Sequence, residues 1–146
     1  MIQVNYRRGL GTTLVKVPIW LGAATGVQVV VVISIYETVA GNVPMLALAY
    51  HRGAANNPVT AISFGTRQLH ATIAGVNNFG GAQIVGVGIG GAAACNAANI
   101  PLYQLQLPSV LLLNGVNPAN LPAGYVIPAN YTLDLFMIQQ EILASY

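Results

Sequence analysis

The chain is 146 residues long, 55% hydrophobic and only 5% charged, with a formal net charge of +2 from five basic and three acidic residues. A soluble domain usually keeps about a quarter of its residues charged, so charge repulsion does not disperse this chain, and its uncharged surface is expected to be covered by other subunits. The length suits one domain, the five basic residues are too few for a patch that displaces counterions from nucleic acid, and the single cysteine excludes a disulfide-stapled scaffold.

Residues 1–16 read as an extended N-terminal arm and residues 17–146 as a single β-rich domain. Arg7, Arg8 and Lys16 all precede the first acid, Glu37. The arm therefore suits docking on an acidic neighbour, although three charges also fit a plain solvated terminus. Val17 to Tyr36 is uncharged and long enough to span a bilayer. Pro18, Gly22, Gly26 and Gln28 break it, and the β-branched succession Val29-Val30-Val31-Val32-Ile33 favours a buried strand over a membrane helix. The Arg7-Arg8 pair before apolar residues has the look of a twin-arginine signal, but Lys16 interrupts the apolar stretch and no clean cleavage site follows.

Further along, runs of Val, Ile, Leu and Tyr alternate with Gly, Asn and Pro, the pattern of an all-β domain. It predicts strands at Thr13–Ile19, Val27–Thr38, Met45–His51, Val59–Phe64, Gln68–Ala74, Ala82–Val87, Leu102–Leu107, Val110–Leu113 and Tyr131–Gln139. Their spacing suits a β-sandwich or jelly roll, or a partly open β-barrel. Gly41-Asn42, Asn56-Asn57-Pro58, Asn77-Asn78, Asn114-Gly115 and Asn117-Pro118 supply the turns. Helical signals are confined to the alanine-rich Gly91–Asn99 and to Leu135–Ser145. Alternation around Leu133, Leu135 and Met137 favours a strand through Gln139, with the last residues unassigned.

Few residues carry chemistry. Gly86-Val87-Gly88-Ile89-Gly90-Gly91 matches the spacing of a dinucleotide fingerprint, yet no acid follows until Asp134 and no βαβ pattern surrounds it. Its glycines read instead as a site of close backbone approach. His51, His70, Cys95, Glu37, Asp134 and Glu141 show no paired metal-ligand spacing. Cys95 lies among alanines and reads as a small buried hydrophobe. A Cys/His/Asp triad can be written down from these residues without any local signature, so no catalytic, cofactor or metal site is expected. Asn130-Tyr131-Thr132 matches the glycosylation triplet, a weak three-residue signal.

Two stretches carry a resemblance. Val29-Val30-Val31-Val32-Ile33-Ser34-Ile35-Tyr36-Glu37-Thr38, leading to Gly41-Asn42-Val43-Pro44, and Leu121-Pro122-Ala123-Gly124-Tyr125-Val126-Ile127-Pro128-Ala129-Asn130-Tyr131-Thr132-Leu133 resemble small virion proteins of tailed bacteriophages. They cover about a quarter of the chain and contain no diagnostic motif. The resemblance implies a capsid decoration, or cement, protein: a trimer that binds a major capsid protein through an N-terminal arm, on a virion assembled from subunits made in the host cytoplasm. Such proteins are often richer in charge than this one.

On that expectation the chain is a structural protein and not an enzyme. It needs no cofactor, makes no direct contact with nucleic acid and does not span a membrane. Ile2, Val4, Arg7 and Arg8 are the candidate anchors of the arm, and Tyr6 and Trp20 are its candidate aromatic contacts. Trp20 fits a core position equally well. A subunit of an extracellular filament or adhesin, paired through strand edges, would share the same composition. So would a ligand- or carbohydrate-binding jelly roll, which would need an aromatic-lined pocket.

Overall fold

The computed structural model describes residues 1–6, 10–54, 57–70 and 82–145. The fold is β-rich. Its centre is a five-stranded mixed sheet in the order β1 (Ile2–Tyr6), β2 (Val29–Ile35), β3 (Met45–His51), β4 (Thr60–Ser63) and β5 (Ile84–Gly86). β2 pairs antiparallel with β3 and β3 with β4, whereas the outer strands β1 and β5 lie parallel to their neighbours. A second sheet holds only the antiparallel pair β6 (Gln104–Pro108) and β7 (Asn130–Asp134).

β2 is a run of β-branched residues because both of its sides are covered. All seven of its residues are buried, as are six of the seven in β3. Side chains alternate across a strand, so the sheet feeds two cores. Val31, Ile33, Ile35, Met45, Ile62 and Phe64 pack with Tyr103, Leu105, Leu107 and Leu135 of the second sheet and its flanks. Val30, Val32, Leu46, Leu48 and Tyr50 pack on the other side with Val17 and Leu21. β2 turns into β3 through Ala40 and Gly41, at φ 49° and 76°, with Val39 and Asn42 exchanging backbone bonds of 2.9 and 3.0 Å. Positive φ at both central residues is what a tight hairpin turn requires.

Three expected strands are corrected. Thr13–Ile19 is helical, forming α1 (Leu10–Leu14) and α2 (Val17–Trp20). Because β1 runs parallel to β2, the chain between them must cross over a face of the sheet. Pro18 is accommodated in the first turn of α2, where its missing N–H costs nothing. Val110–Leu113 falls on another single helical turn, α3 (Ser109–Leu112). The last strand stops at Asp134, and Leu135–Ala144 is helix α4. There Asp134 Oδ1 accepts the Phe136 N–H at 2.9 Å, the N-cap interaction that switches strand to helix. The alanine-rich Gly91–Asn99 is irregular instead of helical. Residues 71–74 of the strand expected at Gln68–Ala74 lie outside the described residues, and 68–70 are not in a strand.

Candidate functional site

β1 places three of the expected contact residues in one row. Ile2, Val4 and Tyr6 stand in register with Val31, Ile33 and Ile35 of β2 and share their face of the sheet. The β2 residues are buried, yet Ile2, Val4 and Tyr6 are 58%, 55% and 44% exposed. The difference arises from α4, which covers β2 and stops short of β1. Between them lies a cleft of about 480 Å³ lined by Val4, Ile33, Met137, Ile138 and Ile142, with Glu141 and Ser145 at its margin. Trp20 does not join this row. It is half-buried against the core on the opposite face of the sheet. Arg7 and Arg8 lie outside the described residues.

A second surface was not anticipated from sequence. Between β6 and β7, where a short hairpin turn would serve, the chain makes an excursion over residues 109–129. It contains no Asp, Glu, Lys or Arg. Every residue from 114 to 120 and from 122 to 130 is exposed, and Val110 and Val126 stand out at 78% and 83%. Ser109 closes its neck: this buried residue donates its hydroxyl to the Pro128 carbonyl, and its N–H reaches the Ala129 carbonyl at 3.1 Å. Inside the excursion, Asn117 Oδ1 accepts from the Ala119 N–H at 3.0 Å, capping a 3-10 turn over Pro118–Asn120. The Tyr125 and Tyr131 hydroxyls meet at 2.6 Å. Pro118, Pro122 and Pro128 fix φ along its course, and Pro108 ends β6 just before it. The segment is thus held in shape by local bonds and prolines, with little core of its own. An uncharged chain with two turn-forming Asn residues and three prolines between two strands is the signal that would have found it.

Ionisable groups line a different cleft. Glu37, Arg67 and His70, with Tyr36 and Leu69, border a cleft of about 470 Å³, and burial pushes the Tyr36 phenol up from its ordinary pKa. Cys95 is the opposite of an activated nucleophile. Burial, with the Asp134 carboxylate as a smaller cause, pushes its thiol up to about 11, whereas a reactive thiol needs a lowered value. Asp134 is itself engaged twice, as the cap of α4 and through Oδ2, which accepts the Asn99 N–H at 2.7 Å. Burial lowers the pKa of His51. Among the described residues, no group of three or more His, Cys, Asp or Glu is placed to hold a metal ion, and no helix is long and apolar enough to cross a membrane.

The glycine motif has a structural use. Gly86 ends β5 at φ 101°, and a Cβ there would fall 2.2 Å from the Ser63 carbonyl oxygen. Only glycine lets the strands approach so closely at that φ. Beyond Gly86 the chain makes a series of turns, with Val87 N–H bonded to Ser63 O at 2.8 Å and Ile89 N–H to Gly86 O at 2.9 Å. A bound pyrophosphate would need a helix N-terminus at that point.

No protein-family model, curated protein or solved structure matches the chain.

Proposed function

We propose that the protein is a structural subunit that assembles with copies of itself, and specifically a virion component that binds and stabilises a capsid as a decoration protein. The observation that carries the proposal is the excursion at 109–129: ordered by its own turns, free of charge, and with its apolar side chains exposed. A segment shaped in advance loses little conformational entropy when it docks. Each Val or Ile side chain that becomes fully buried contributes about 1.5–3 kcal/mol. Four or five such residues offset much of the roughly 4–15 kcal/mol that association costs, and repetition over a lattice multiplies weak contacts by avidity.

The virion assignment draws its support from the resemblance of Leu121–Leu133, most of which falls on this excursion, to the turn and final strand of small phage virion proteins. We further read the two sheets, which share one core, as a small β-sandwich that helices have extended. A trimer is the arrangement that the decoration role implies.

The test is light scattering on the intact chain and on a variant carrying Val110→Lys and Val126→Lys, followed by co-sedimentation of each with empty capsids. A closed oligomer that attaches to capsids, with both properties lost in the variant, is the expected result. A monomer at 15.2 kDa that ignores capsids would refute the proposal, and open-ended polymers would replace the decoration role with that of a filament subunit.

A further inference from the structure

The outer edge of β1 points to a second contact, which rests on the assembling role but differs from the excursion in place and symmetry. β1 is the first strand in the sheet order and, among the described residues, has a neighbour on one side only. The Met1 ammonium donates to the Val29 carbonyl and the Met1 carbonyl accepts the Val31 N–H, both at 2.9 Å. In a parallel ladder successive residues alternate in direction, so Met1, Gln3 and Asn5 are turned toward β2. The backbone N–H and C=O groups of Ile2 and Val4 are turned away from it. The Val4 carbonyl accepts from the exposed amide of the adjacent Gln3 side chain at 2.9 Å, a contact that a paired strand readily displaces. Proteins usually blunt such an edge with Lys, Pro or an inward-pointing charge, and Ile2-Gln3-Val4-Asn5-Tyr6 has none of these.

We propose that the occupant of this edge is the β1 strand of a second copy of the chain, paired antiparallel about a two-fold axis through Val4. The segment is complementary to itself in that register. Val4 meets Val4, Ile2 meets Tyr6 on the apolar side, and Gln3 meets Asn5 on the amide side, with no like charges opposed across the pair. Any other register sets apolar against amide or leaves residues unpaired. The face also fits. Each copy has α4 over β2, and two β2 strands separated by the paired β1 strands lie three strand spacings apart, roughly 14 Å. The 54%-exposed Met137 lines the cleft beside Val4, where the same residue of the other copy would close the trough between the helices. A two-fold contact of this kind is isologous, so it can join closed oligomers to one another or make a simple dimer, but cannot alone build a trimer.

The test is oxidation of a Val4→Cys variant with diamide, followed by non-reducing electrophoresis. A hydrogen-bonded antiparallel pair holds its Cα atoms about 5.5 Å apart, inside the roughly 4.4–6.8 Å that a disulfide spans. Buried Cys95 makes the unaltered chain the background control. A covalent dimer is expected within minutes, at least tenfold faster than with Val126→Cys, together with a halving of the mass in solution for Val4→Lys. Failure of Val4→Cys to link while light scattering still reports an oligomer would overturn the β1 contact and leave the assembling role standing. A monomeric unaltered chain would overturn both. Circular dichroism matching that of the unaltered chain identifies which variants have folded and so count.

Discussion

β2 and the excursion at 109–129 are both free of charge, and for opposite reasons. In β2 every side chain is buried within the chain's own two cores, so the missing charge reflects intramolecular packing. In the excursion nearly every residue is exposed, so nothing within the described chain accounts for the missing charge. An uncharged sequence therefore has two meanings, which only burial separates. Where the chain does not cover the surface itself, a neighbour is the economical explanation.

The comparison breaks most visibly from the sheet side. Leu48, fully buried in β3, should cost about 2–5 kcal/mol as Leu48→Ala, because both transfer energy and a residual cavity are involved. Urea unfolding should show a lower midpoint with an unchanged slope. Next in size is the alkaline limb of the stability curve. A thiol pushed up to about 11 in the folded protein favours the native state while it is protonated. That contribution is complete below the unfolded thiol value near 8.5–9 and is lost as pH rises toward 11, on the order of 2 kcal/mol at most. Chemical denaturation from pH 8 to 10, below the range where the buried tyrosines Tyr36, Tyr50 and Tyr103 begin to contribute, should register the onset of the decline, and Cys95→Ala should reduce it.

Gln139 sharpens the comparison at the sheet's edge. Though polar, it is buried, and its amide donates to the Phe64 carbonyl at the end of β4. Gln139→Leu leaves that carbonyl unpaired and should cost about 1–3 kcal/mol, measurable by thermal melting. The smallest effect on folding belongs to the excursion, where Val110→Lys with Val126→Lys should change stability by no more than about 0.5 kcal/mol. The same two changes should abolish capsid attachment and leave no assembly beyond the β1 pair, an inversion of the pattern expected in the sheet.

Much of the central sheet was legible because its strands are nearly pure in one signal. The expected Met45–His51 is β3 to the residue, and the expected Val27–Thr38 and Val59–Phe64 enclose β2 and β4. The misreadings share a cause: apolar residues beside a polar switch. Thr13–Ile19 was strand-like by composition, but the parallel pairing of β1, a tertiary fact, requires a crossover that local pattern does not encode. At Leu133–Ile138 the apolar residues hardly alternate with polar ones, and the informative residue was Asp134, an N-cap in front of an apolar run. Within the contact surface, Ile2, Val4 and Tyr6 were singled out as contact residues, but their period of two was not read as a strand, and β1 (Ile2–Tyr6) was missed. The excursion was hidden because its apolar residues, broken by Pro and Asn, look like strands and turns of a core, whereas Leu111 packs against the core and Val110, Val116, Val126 and Ile127 are exposed.

The most direct measurement is amide hydrogen exchange across residues 110–130 at increasing protein concentration, with solution mass followed in parallel. The account predicts that these exposed amides exchange fast in dilute solution and become protected together as the mass rises, while β2 and β3 are protected throughout. Assembly that left the excursion exchanging at its dilute rate, or a chain that stayed monomeric at every concentration, would contradict the claim that this uncharged surface is made for a neighbour.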